Sequence, residues 1–159
     1  MNPFPNVAEG ITFFPKSDAT PNYNCIAWAV TYEQQAIWPD DRGQMGWPIH
    51  LPREETPAAF QAFFESAGFV VCSDGTLEAG HEKIAIYVLN GLVTHAARQL
   101  PNGRWTSKMA QGVDAEHPSP DTLVGPGYGY VRLYMRRRYD GRPPLLPPLN
   151  PLPPLIIRP

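Results

Sequence analysis

The sequence predicts an α+β domain, with helices in its first half, a roughly five-stranded antiparallel sheet in its second, and a proline-rich tail. Three observations carry this. A well-capped apolar stretch follows Thr56, two Asn-Gly pairs separate alternating runs beyond residue 80, and proline becomes dense past Asp140. The 159 residues are 43% hydrophobic and 11% aromatic, enough for one domain with a packed core. Charged residues make up 18% and the net charge is −2, which argues against a nucleic-acid or membrane partner for the whole molecule. The local exception is Arg136, Arg137, Arg138 and Arg142, read as a solvated strand end rather than a phosphate-binding patch.

Residues 1–24 read as irregular but anchored by Phe4, Ile11, Phe13 and Phe14, with Pro21 stopping any regular element. A helix is expected from Cys25, capped by Asn22 or Asn24, with Ile26, Ala27, Ala29, Val30 and Ala36 inward. Residues 37–53 read as a loop rich in Trp, Pro and Gly. A second helix starts with Thr56 as cap and Pro57 in its first position, buries Phe60, Phe63 and Phe64, and closes at Gly68.

Strand patterns follow. Phe69–Cys72 ends in the Ser73-Asp74-Gly75 turn, and Glu82–Leu89 meets Leu92–Leu100 across Asn90-Gly91, a hairpin signal. Asn102-Gly103 leads into Arg104–Met109. Residues 110–127 read as a long loop, and Tyr128–Arg138 as the last strand. The domain is bounded at residues 1–139. Residues 140–159 form the tail, whose stretch from 143 holds eight of the chain's 20 prolines. Polyproline II is its natural conformation, free to dock on this domain, on a second copy or in a partner's aromatic groove. The four tryptophans read as core and loop anchors.

Cys25 is the candidate nucleophile. In the first turn of a helix a thiol meets free amides and the positive end of the dipole, which favour thiolate and could hold an oxyanion. His95, on the strand after the first hairpin, is the candidate base. Ser107 is the nearest candidate to orient it, with Gln111, Asp114 and His117 further along; hairpin register is not fixed to one residue by sequence. Asn24 could donate to an oxyanion, although capping is its more natural role. His50, His81 and His117 fall in expected loops. A Cys25–Cys72 disulfide would abolish the nucleophile, but a reducing compartment favours two thiols. No metal-ligand spacing and no phosphate-binding glycine loop is present, so no cofactor is expected. Residues 1–20 lack the pattern of a secretory signal, and the expected location is the cytoplasm.

The segments Asn24-Cys25-Ile26-Ala27-Trp28-Ala29, Glu82-Lys83-Ile84-Ala85-Ile86-Tyr87, His95-Ala96-Ala97-Arg98-Gln99-Leu100 and Gly103-Arg104-Trp105-Thr106-Ser107-Lys108 resemble a bacterial family of uncharacterised domains from about Asn22 to Met135. Their order is similar to papain-like folds of the NlpC/P60 and CHAP types. That resemblance implies a papain-like fold and a cysteine hydrolase or amidase acting on peptide or amide bonds. One departure stands out: where NlpC-type chains open a strand with histidine, this chain has Lys83. Either His95 takes the base role one strand along, or the pair is absent and the domain binds a partner without catalysis.

Overall fold

A computed structural model of the protein describes residues 2–110 and 112–151. Its elements in chain order are β1 (Phe14–Pro15), α1 (Cys25–Ala29), β2 (Trp47–Pro48), α2 (Pro57–Ser66), β3 (Val70–Cys72), β4 (His81–Leu89), β5 (Leu92–Gln99), β6 (Trp105–Lys108), β7 (Asp114–His117), a 3₁₀ turn at Pro120–Leu123, β8 (Tyr130–Arg138) and β9 (Leu149–Asn150). The seven-stranded sheet has the order β1-β7-β6-β5-β4-β8-β3 with every pairing antiparallel, and β2 pairs with β9 separately.

The expected α+β, papain-like class is therefore corrected to a mostly β fold. Regular α-helix amounts to five residues in α1 and ten in α2. Segments read as irregular, as loops or as the proline-rich tail supply β1, β2, β7 and β9. α1 stops early because Val30 and Thr31 are β-branched and Thr31 turns left-handed at φ 57°. α2 follows its signals: Thr56 Oγ1 accepts from Ala59 N at 3.2 Å, and Pro57 opens the helix.

The strands after α2 are not a simple meander. β8 inserts between β4 and β3, leaving β3 at the edge. The Asn90-Gly91 turn is as expected, with both residues at positive φ and Leu89 opposite Leu92. A register shift between Ile86 and Tyr87, where the β8 partner steps from Leu133 to Val131, turns Val131 to the face opposite Leu133. Gly129 lets β8 begin against β4, since a Cβ there would meet the Val88 carbonyl oxygen at 1.9 Å.

Each face of the sheet carries its own core. On one, α1 and α2 place Ile26, Phe60, Phe63 and Phe64 against Ile84, Ile86, Val93, Ala96 and Met135. Burying each phenylalanine is worth about 2–3 kcal/mol. Trp47 stacks on Phe63 with ring centres 5.1 Å apart. On the other face, Phe13 and Leu123 cover Ala85, Tyr87, Ala97, Trp105 and Ala115. Within the described residues past 139, Leu149 is buried in the first core and Leu146 packs against it. Arg53 and Gln35 donate to the carbonyls of Asn150 and Pro151 at 2.6 and 2.8 Å. The remaining tail residues, 152–159, lie outside the described residues.

Candidate functional site

Cys25 opens α1 and faces the first core. Asn24 caps the helix, with its Oδ1 accepting from Ala27 N at 3.2 Å and Ile37 N at 2.9 Å, while its Nδ2 donates to Ile37 O at 2.8 Å. Its Oδ1 and one of its two Nδ2 hydrogens are engaged, so the amide joins α1 to the following loop. Cys25 is buried and, like Cys72, is a free thiol. Burial pushes its thiol up to about 11, against the pull of hydrogen bonds from the backbone at Ala96 and Ile26.

His95 lies on the other side of the sheet. Ala96 stands opposite Ile86, and both belong to the core shared with Cys25. His95 stands opposite Tyr87, which belongs to the second core. Because side chains alternate along a strand, Cys25 and His95 are separated by the sheet, and no hydrogen bond joins them. The structure does bring His95 and Ser107 together, with Nε2 and Oγ 3.0 Å apart. Ser107 Oγ also lies 2.9 Å from His117 Nε2, and His117 Nδ1 lies 2.8 Å from Ser119 O.

This arrangement follows from register. Ser107 is opposite Ala115 on β7, and the β5–β6 pairing of Arg98 with Thr106 puts Ala97 opposite it on the other side. Two alanines leave room for the imidazoles, which reach Ser107 along the diagonals from two residues away. Hydrogen-bond direction is fixed from one end. The Ser119 carbonyl only accepts, so His117 Nδ1 carries a proton and Nε2 accepts from Ser107. Ser107 then accepts from His95 Nε2–H. His95 Nδ1 is left buried with no partner. His95, Ser107 and His117 are all fully buried.

Both rings are held neutral. Burial, reinforced by the nearby His117, lowers His95 well below the ordinary histidine value. Burial likewise brings His117 down to about 4. Tyr128 stacks flat on His95 at 4.2 Å, and Tyr87 meets it edge-on at 5.3 Å. His117 was the farthest candidate from sequence, hidden because Asp114-Ala115-Glu116-His117 looks too polar for a strand. Its period-two pairing of Ala115 with Ser107 is the signal that could have found it. Gln111 lies outside the described residues.

Next to this chain of groups, on the Cys25 side, Lys108 is fully buried and donates to the carbonyls of Thr20, Ala110 and Gly112 at 2.5–2.8 Å. Asp114, its register partner, accepts from Ser17 and Tyr23. The two groups fix the ends of β6 and β7. Lys83 is buried and paired with Asp74 at 3.2 Å.

A wide groove lies elsewhere, between the end of α2 and residues 137–145. It holds about 720 Å3, with Ala67 and Gly68 on one wall and Arg138, Arg142, Pro143 and Leu145 on the other. A smaller hollow of about 240 Å3 continues past Arg137 to Arg98, Glu82 and Tyr139. Glu82 and Arg137 form a shielded pair at 2.6 Å, and Arg142 pairs with Asp140 at 3.0 Å. Arg138 has no ion-pair partner among the described residues. Among the described residues, no cluster of His, Cys, Asp and Glu could hold a metal, and no helix is long and apolar enough to cross a membrane.

Comparison with curated proteins and with solved structures gives no match, so neither connects the chain to NlpC/P60 or CHAP proteins. Residues 15–136, which run from β1 into β8 and include Cys25, His95, Ser107 and His117, match a domain of unknown function, DUF7689, and the chain belongs to that family.

Proposed function

We propose that this chain is a protein-interaction module that does not use a Cys-His pair for catalysis. The observation that carries this reading is the placement of Cys25 and His95 on opposite faces of one sheet. A cysteine hydrolase needs its base within about 3 Å of the thiol. Here the His95 nitrogen that makes a hydrogen bond is engaged by Ser107. The Asn24 Oδ1 and one of its Nδ2 hydrogens serve Ala27 and Ile37 in capping α1. A thiol whose pKa is about 11 holds roughly one thiolate in ten thousand molecules at neutral pH. His95, Ser107 and His117 then act as a buried brace across β5, β6 and β7.

The test is the pH dependence of Cys25 alkylation by iodoacetamide in a Cys72→Ser background, with His95→Gln and Ser107→Ala beside it. An inert thiol at neutral pH, reacting only as the pH nears 9 and above and at the same rate in all three proteins, supports the module. Rapid alkylation at neutral pH that depends on His95 would overturn it. Circular dichroism checks that each variant is folded.

A further inference from the structure

We propose that the groove between the end of α2 and residues 137–145 is the docking site of this module, and that its partner is an extended acidic peptide segment carrying apolar side chains. The proposal rests on the interaction-module reading. Charge selects the partner. The groove and its adjoining hollow contain four guanidinium groups, of Arg98, Arg137, Arg138 and Arg142, against the carboxylates of Glu82 and Asp140. Four minus two leaves an excess of two positive charges on a chain whose net charge is −2. Arg137 is committed to Glu82 and Arg98 donates to the Trp28 carbonyl, while Arg142 is paired with Asp140 at the exposed surface. The cation without an ion-pair partner among the described residues is therefore Arg138, with Arg142 beside it. The last carbonyls of α2 border the groove and carry partial negative charge, about half an elementary charge at most, which reduces the excess without reversing it.

Shape and apolar character narrow the class. Leu145 is 88% exposed at the rim, next to Pro143 and across from Ala67 and Gly68. An apolar side chain of the partner can bury that leucine while carboxylates on either side meet Arg138 and Arg142. The groove is large enough for several side chains and open along its length. The chain's own residues 152–159 do not fit these requirements, because Leu152-Pro153-Pro154-Leu155-Ile156-Ile157-Arg158-Pro159 has no acidic side chain and one basic one. A nucleic acid would leave the leucine and proline rim unpaired, and the groove itself has no aromatic ring on which a base could stack, the nearest being Tyr139 in the adjoining hollow.

The experiment is fluorescence anisotropy on the full chain, with a short fluorescein-labelled peptide of alternating glutamate and leucine as probe. The counterparts are alternating lysine and leucine, glutamate alone, and single-stranded oligouridylate. We expect the glutamate-leucine peptide to bind at micromolar protein and the other three to bind at least about tenfold more weakly. Arg138→Glu, Arg142→Glu and Leu145→Ser, all at exposed positions, should each weaken binding by about tenfold, and salt near 0.5 M should weaken it further. Binding unchanged by the three substitutions, tighter binding of oligouridylate, or no binding of the probe would each overturn this assignment. Those outcomes leave the module reading standing, since that reading fails only if Cys25 proves reactive through His95.

Discussion

Acidification from about pH 7 to about pH 5 should strip this protein of several kcal/mol of stability, in a window that belongs to histidine rather than to carboxylates. The perturbation acts on the buried brace of His95, Ser107 and His117, in which neither ring can take a second proton without breaking a hydrogen bond or charging a dry site. The folded value of His117 lies near 4, below the ordinary 6.5 of an unfolded chain. Its contribution is therefore whole above about pH 6.5 and is lost progressively as the pH falls towards 4. One proton of linkage is worth about 1.4 kcal/mol per pH unit, so His117 alone removes about 2 kcal/mol at pH 5 and about 3 kcal/mol at pH 4. His95 is lowered as well and acts in the same direction, bringing the limiting slope to about 2.7 kcal/mol per pH unit. A domain of this size has roughly 5–15 kcal/mol in total. The carboxylates of Asp40, Asp74, Glu78 and Asp140 are held below their ordinary range, so their contribution is whole above about pH 5 and is lost below it, under the histidine window. Guanidinium unfolding curves at half-unit pH intervals give the slope directly. His117→Gln should lower it by about one proton's worth in the same window. A stability that stays level between about pH 7 and about pH 5, or a slope untouched by the substitution, would refute the reasoning.

Two further outcomes test the supports around the core. Asn24→Ala removes the α1 cap and both links to Ile37, and should cost about 2 kcal/mol in chemical denaturation. Leu149→Ala should cost about 2–4 kcal/mol, because this side chain is buried in the core it shares with Trp47; a surface-like value under about 0.5 kcal/mol would mean that β9 is not held in place.

β3, β4, β5, β6, β8 and α2 were legible because local chemistry marks them, whereas β7, inside a stretch read as a loop, was not. Thr56-Pro57 starts the helix, Asn90-Gly91 turns the hairpin, and alternation spans Tyr130–Arg138 except at its bulge. The short strands were not legible. Phe14–Pro15, Trp47–Pro48 and Leu149–Asn150 are two residues each, too short for any period, and they exist because distant partners offer hydrogen bonds. The overestimate of α1 had the same root. An apolar stripe through Ala36 fits a helix until Thr31 turns left-handed and Asn24 takes hold of Ile37. At the candidate site, a rough hairpin register was enough to rank Ser107 beside His95. The face on which His95 lies was beyond reach, because a one-residue slip exchanges the two sides of a strand. That single parity decides whether the imidazole faces Cys25 or Tyr128.

The wide pairings at the margins of the fold govern how it is reached. Phe14 joins Glu116, and Trp47 joins Asn150, so each of these contacts closes a loop of about a hundred residues. The β4–β5 hairpin closes across two residues and can form early. Order should therefore spread outward from this hairpin, with β1 and β9 arriving last and folding taking milliseconds to seconds. Until β9 arrives, Trp47 lacks its strand partner, and that interval is when the chain is most exposed to self-association.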